Sequence, residues 1–183
     1  MNLPNKLTFS RVLLAIPFIF FLERANSGSD IYRYIAFALF VVASLTDWLD
    51  GYLARKYNLI TDFGKLMDPL ADKILVISAM VIFVSLGWLP SWMSIVVIAR
   101  EFLISGIRTL AAAQGEVIPA GNLGKYKTTT QMIVIIIMLL FGPIKNPEYA
   151  NLYYYMMFIP VILTVWSGWD YSVKAKHYFM NHM

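Results

Sequence analysis

The sequence predicts an all-α membrane protein, with six transmembrane helices entered through a short N-terminal amphipathic segment, in one domain over residues 1–183. Three observations carry this. The chain is 59% hydrophobic with a mean hydropathy of +0.63, above the usage of soluble domains. Apolar segments recur with short breaks, and Tyr149 to Trp169 runs 21 residues without a charge, enough to cross a bilayer. The basic residues are also distributed unevenly. With both termini and the regions 47–74 and 100–127 on one side, twelve of the 15 lysines and arginines fall there, leaving Arg24, Arg33 and Lys145 opposite. The positive-inside rule makes the richer side cytosolic. Net charge +4 is scattered near helix ends and forms no dense run, which argues against a nucleic-acid partner. The absence of cysteine excludes disulfides and thiolate metal sites.

The elements follow in order. Asn2 to Arg11 is polar on one side, and Pro4 suits a first helical turn. Val12 to Leu22 continues as a retained first helix: no A-x-A-like cleavage site follows, and Glu23-Arg24 comes at once. Ile31 to Thr46 leads directly into a helix carrying Asp47. Ile74 to Leu86 is the third apolar stretch, closed by the turn Gly87-Trp88-Leu89-Pro90. A fourth helix runs from Ser91 past Arg100 and Glu101 toward Ala113. Gly115 to Gly124 reads as a loop, Thr128 to Phe141 as the fifth helix stopped by Gly142-Pro143, and Tyr149 to Trp169 as the sixth. Trp88, Trp92, Trp166 and Trp169 fall near helix ends, where interfacial anchoring and packing are equally good accounts.

The chain is organised around residues 47 to 72, which hold four carboxylates. Asp47 and Asp50 are three apart and Asp68 and Asp72 four apart, so each pair shares a helical face. Gly51 and Ala54 continue the first face, and Gly64 precedes Asp68 by one turn. Small residues let two membrane helices approach closely, gathering four carboxylates around one small volume. A hard divalent cation relieves their repulsion. With no Cys, and neither His nearby, Mg²⁺ or Mn²⁺ fits, and four carboxylates suffice for two ions, an arrangement that clamps a phosphoryl centre. The alternative is a periodic set of solvated carboxylates in a cytosolic loop.

The stretch reads D-x2-D-G-x2-A-R-x8-G-x3-D-x3-D, with Asp47, Asp50, Gly51, Ala54, Arg55, Gly64, Asp68 and Asp72 at its fixed positions. It resembles the signature of the CDP-alcohol phosphatidyltransferase family, with every fixed position filled. The resemblance implies transfer of a phosphatidyl group from CDP-diacylglycerol to an alcohol with release of CMP. It implies two metal ions on the four aspartates and a donor site built from Asn5, Thr8, Gly51, Ala54, Arg55, Thr61 and Gly64. It also implies a homodimer whose donor lipid tails stay in the bilayer. For Asn5, Thr8 and Arg11, capping and interfacial anchoring compete with a substrate role. Arg55 is a good fork-shaped partner for a diphosphate, with an ion pair to Asp47 or Asp50 as the alternative. Thr61 and Asp62 also suit a helix cap. The accepting hydroxyl needs a base, and Asp72, the last carboxylate and the deepest toward the membrane, is the choice.

A second, basic constellation comprises Arg100-Glu101, Arg108 and Gly124-Lys125-Tyr126-Lys127. Arg100 and Arg108 are two turns apart, and Lys125 sits at the start of the fifth helix, where the helix dipole favours anions. Arg11, Arg108 and Lys125 are the expected acceptor-phosphate residues. Lys127 reads as a headgroup anchor. These elements, with the opening Asn2-Leu-Pro4-Asn5, resemble bacterial family members that use sn-glycerol 3-phosphate and make phosphatidylglycerophosphate. Inositol phosphate makes the same electrostatic demand, whereas serine or phosphatidylglycerol does not need these cations. A cation transporter is the remote alternative, disfavoured because the carboxylates fall at helix ends and no repeated halves appear.

Overall fold

The computed structural model describes residues 3–26, 30–57, 62–113, 121–143 and 151–174, with side chains for 9–25, 30–46, 73–112, 121–143 and 151–173. Among the described residues there are six α-helices, one 3-10 turn at Arg24–Asn26 and no strand. The helices are α1 Leu3–Glu23, α2 Asp30–Tyr57, α3 Asp62–Ser85, α4 Ser91–Ala113, α5 Asn122–Phe141 and α6 Leu152–Lys174.

Three boundaries differ from the sequence reading. The N-terminal segment is not a separate element: Leu3 to Glu23 is one helix, with Pro17 inside it. Membrane helices tolerate such a proline because neighbouring groups satisfy the freed carbonyl. Helix α5 starts at Asn122, so Gly124, expected at the end of a loop, is helical, while Lys125 lies in the first turn as expected; that charged turn carries no apolar signal. Helix α6 begins three residues later than expected and extends to Lys174.

Helices α1 and α2 run antiparallel, as do α3 and α4. Phe18 of α1 meets Phe40 of α2, while Phe21 stacks with Tyr32. Likewise Lys73 of α3 reaches Glu101 of α4, while Ser94, a turn from the start of α4, donates to the Met80 carbonyl of α3. Helix α1 packs on α2 and α3, and α5 on α6, α2 and α3. The core between them is filled by Phe18, Phe40, Phe83, Met80, Met93, Ile135 and Met138, each inaccessible to solvent.

The outside is as apolar as the inside. On α1, Arg11, Ala15, Phe18 and Leu22 point inward, while Phe9, Leu13, Ile16 and Phe20 point outward and are exposed. Exposed large hydrophobic side chains occur likewise on all six helices. A helix apolar all round is either a deep core or a membrane span, and the exposed apolar side chains of these helices fit the second. By length and composition, two helices among the described residues suffice to cross a membrane, Asn122–Phe141 and Leu152–Val173. The other four of the six expected spans do not meet that measure. Their apolar runs are shortened by charges such as Arg100, Glu101 and Arg108 within α4, or fall partly outside the described side chains. At about 1.5 Å per residue, the 28 residues of α2 reach about 42 Å, beyond an apolar layer of about 30 Å.

Helix ends show how the chain turns. Gly87, with φ +74°, closes α3 through a paired motif: the Trp88 amide donates to the Phe83 carbonyl (2.8 Å) and the Gly87 amide to the Val84 carbonyl (3.0 Å). Trp88 is then buried, stacked on Phe83 at 5.2 Å between centroids, so it packs rather than anchors. Trp92, Trp166 and Trp169 are exposed. At the same end of the bundle Arg33, 3% exposed, caps α5: its Nη1 donates to the carbonyls of Leu139 (3.0 Å) and Leu140, and its Nη2 to Asp30 Oδ1 (3.1 Å). A guanidinium there satisfies carbonyls that the helix leaves without partners.

Gly142 completes this cap. Its φ of +69° and ψ of −157° belong to a region only glycine adopts readily, and a Cβ there would lie 2.5 Å from Arg33 Nε. Gly142→Ala is expected to destabilise the protein by about 1–3 kcal/mol, read as an earlier unfolding midpoint in detergent micelles. An unchanged midpoint would mean that this cap does not constrain the fold.

Candidate active site

The motif helices are continuous. Residues 47 to 57 belong to α2 and 62 to 72 to α3, so Asp47 and Asp50 stand in helical register one turn apart, as do Asp68 and Asp72. The side chains of these four aspartates, and of Asn5, Thr8, Gly51, Ala54, Arg55 and Gly64, lie outside the described residues, and Thr61 lies outside them altogether. Among the described residues no three His, Cys, Asp or Glu side chains come together. The donor set is nonetheless chemically apt: the motif offers oxygen donors only, in two one-turn pairs on consecutive helices, and hard divalent ions take oxygen. These residues fit Mg²⁺ or Mn²⁺.

Described side chains begin at Lys73, the residue after Asp72, and there the motif runs into a basic cavity. The cavity, of about 510 Å³, is lined by Lys73 of α3, by Arg100, Glu101, Ser105 and Arg108 of α4, and by Gly124, Lys125 and two threonines of α5. Two residues expected from sequence, Arg108 and Lys125, are thus brought to one cavity. Arg11 is not. It is buried on α1 and lines a neighbouring cavity of about 200 Å³ together with Ser44, Lys127 and Gln131. Lys73, Glu101 and Thr128 line both.

Four cations and one carboxylate line the larger cavity, an excess of three positive charges. Three of the cations, Arg108, Arg100 and Lys73, are held in place. Arg108 Nε donates to the Tyr171 hydroxyl at 3.3 Å, and its guanidinium lies 5.4 Å from that ring's centroid. Tyr171 is itself buried with Ile104, Ile107 and Ala111. Arg100 Nη2 donates to Ser167 Oγ at 3.1 Å, and Arg100 Nη1 approaches Glu101 Oε1 at 3.3 Å. Gly168 leaves the notch for that arginine, since a Cβ there would come 3.2 Å from Arg100 Cγ. Lys73 Nζ donates to the Ser105 hydroxyl and to the Glu101 carbonyl (3.3 Å), and its ammonium is 3.7 Å from Glu101 Oε2. Lys125 is exposed in the first turn of α5, where the positive end of the helix dipole adds to its charge.

Lys127 departs from its sequence reading. Rather than anchoring headgroups it is 3% exposed and paired with Glu101 Oε1. Hydropathy places a lysine near a helix end at the surface. Only the approach of α4 to α5 supplies a half-buried carboxylate, 26 residues away in the chain. Sequence reasoning also passed over Lys73, counted only as a positive-side charge. Its position directly after Asp72 was the available signal.

A cavity with excess cations, adjoining a motif of oxygen donors, is equipped to hold a phosphorylated ligand beside a metal-assisted phosphoryl centre. The comparisons agree. Residues 1–166 match the family model of CDP-alcohol phosphatidyltransferase. The chain is 42% identical to a CDP-diacylglycerol–glycerol-3-phosphate 3-phosphatidyltransferase of Bacillus subtilis, covering 94% of both chains. It is 39% identical to the enzyme of the same name from Rickettsia bellii, covering 97% of both. It is 36% identical to a probable phosphatidylglycerophosphate synthase of Mycobacterium tuberculosis, covering 95% of this chain and 81% of the relative. The continuous motif helices, the basic cavity and these matches lead to one conclusion: the chain belongs to the CDP-alcohol phosphatidyltransferase family.

Proposed function

We propose that this protein transfers the phosphatidyl group of CDP-diacylglycerol to the free primary hydroxyl of sn-glycerol 3-phosphate, giving phosphatidylglycerophosphate and CMP. One observation carries the choice of a phosphate-bearing acceptor: Lys73, next in sequence to Asp72, forms a wall of the cavity that also holds Arg100, Arg108 and Lys125. The acceptor's phosphate and its reacting hydroxyl belong to one short molecule, so the phosphate site must adjoin the motif. Serine and phosphatidylglycerol do not call for four cations. Inositol phosphate does, and the relatives' names favour glycerol 3-phosphate over it.

The family is generally dependent on divalent metal. In our reading Asp47, Asp50, Asp68 and Asp72 hold two ions, Mg²⁺ or Mn²⁺. When bound, such ions neutralise the diphosphate and the charge developing on the leaving nucleotide. Asp72 accepts the proton of the acceptor hydroxyl as the oxygen attacks the phosphatidyl phosphorus. The phosphorus–oxygen bond to CMP breaks, and CMP leaves with the bridging oxygen. Gly51 and Ala54 leave room for the nucleotide, Arg55 pairs with the diphosphate, and Asn5, Thr8, Thr61 and Gly64 complete the donor site. Arg108 and Lys125 bind the acceptor phosphate, with Arg11 behind them at the smaller cavity. The test is CMP release by purified protein with CDP-diacylglycerol, a divalent ion and a panel of acceptors. Glycerol 3-phosphate is expected to be preferred, and excess chelator to abolish release until Mg²⁺ or Mn²⁺ is restored. Preference for inositol phosphate or serine, or full activity in chelator, would overturn this reading.

Two substitutions separate binding from chemistry. Loss of one charge-assisted contact costs about 1.5–3 kcal/mol, roughly 10- to 150-fold, so Lys125→Ala is expected to raise the KM for glycerol 3-phosphate by that factor and to leave the KM for CDP-diacylglycerol nearly unchanged. Asp72→Asn keeps size but accepts no proton. Its turnover is expected to fall about 10²–10⁴-fold, with donor affinity within several-fold of wild type. Equal effects of Lys125→Ala on both substrates, or near-normal turnover of Asp72→Asn, would refute the assigned roles.

The two apolar helices and the family point to a membrane protein. We further propose one domain over residues 1–183, with six spans and with both termini and the active site cytosolic. The distribution of lysine and arginine supports that orientation. Reporter fusions at both termini are expected to signal the cytosol, and an external signal at either would reject the topology. The family resemblance supports a homodimer, which light scattering in detergent decides.

A further inference from the structure

Glu101 has no part in the chemistry above, yet it stands on the wall of an anion-binding cavity. A carboxylate there opposes an incoming phosphate, so its presence needs a reason. Both of its oxygens are occupied. Oε1 meets Lys127 of α5 and, at 3.3 Å, Arg100, and Oε2 faces Lys73 of α3 at 3.7 Å. The residue lines both cavities, whereas Lys127 lines only the smaller and Arg100 only the larger. Its own carbonyl accepts from Lys73 and from Ser105, the same hydroxyl that holds Lys73.

We propose that Glu101 is a positioning residue for the acceptor. It fixes Lys73 and Arg100 on the wall of the larger cavity before the phosphate arrives, and it keeps Lys127 turned to the other side. Long cationic side chains lose rotamer freedom on binding, and holding them beforehand moves that loss out of the binding step. Since three cations surround the carboxylate, its charge is largely screened from the ligand. The inference rests on the acceptor reading given above.

The test uses full-length protein in detergent micelles: wild type, Glu101→Gln, Lys127→Met and the double variant. Glu101→Gln keeps the shape and removes the charge, and the double variant removes both charges of the Glu101–Lys127 pair as a unit. Thermal stability, kcat, both KM values and the affinity for inorganic phosphate by calorimetry are measured. Glu101→Gln is expected to raise the KM for glycerol 3-phosphate roughly 10- to 150-fold, to weaken phosphate binding in proportion, and to leave kcat and the KM for CDP-diacylglycerol nearly unchanged. The double variant is expected to regain thermal stability while its KM for glycerol 3-phosphate stays high. If it regains both, Glu101 merely balances Lys127 and the proposal fails. It also fails if Glu101→Gln lowers kcat and raises both KM values alike. A wild type whose phosphate binding is weakened by Glu101→Gln, but which does not use glycerol 3-phosphate, would overturn the acceptor reading and leave the positioning role standing.

Discussion

The structure around the cavity depends on one carboxylate. Glu101 sits on α4 and is met by Lys73 from α3 and Lys127 from α5, so three helices converge on a single half-buried charge. Removing one member of such a pair typically costs about 3–5 kcal/mol, because the other charge is left without compensation. Replacing the whole pair with apolar side chains is frequently harmless to stability. Such an ionic cluster therefore tells little about how the fold is stabilised and more about what is fixed there. What it fixes is the relative placement of α3, α4 and α5 at the level where the acidic motif ends.

The opposite end of the bundle uses the same chemistry for a different purpose. Arg33 from α2 closes the last carbonyls of α5, and the Tyr153 hydroxyl donates to the Gly142 carbonyl. Asp30, the partner of Arg33, is largely exposed. Between the two ends the helices carry hydroxyls that bond back to their own helix, such as Ser44 to Phe40 and Thr164 to Pro160. These bonds satisfy polar groups locally, so they ask nothing of the surroundings. The middle of the bundle is then free to pack apolar side chains inward and present others outward.

How much of this was legible follows from the range of each signal. Local signals carried the helices: the stop at Gly87-Trp88-Leu89-Pro90, the span of α4, and the passage of α2 unbroken into the motif all depend on neighbouring residues. The motif was legible because helical spacing alone puts Asp47 with Asp50 and Asp68 with Asp72. The convergence of Arg108 and Lys125 on one cavity was read from charge and position. Long-range facts were not legible. Nothing within reach of Lys127 along the chain announces Glu101. Arg11 shows the limit differently. Its charge and its place before an apolar run were apparent, but the side of the bundle it faces depends on how α1 rotates against α2 and α3, which sets it at the smaller cavity.

The charge of the larger cavity bears on selectivity even without a ligand. Lys73, Arg100, Arg108 and Lys125 repel one another, and Glu101 offsets only one of them. A phosphate monoester dianion lowers the excess from three charges to one. A zwitterionic acceptor such as serine leaves it unchanged and still displaces water from the cations. The difference between the two acceptors therefore grows with the water excluded, because charge interactions strengthen as the local dielectric falls.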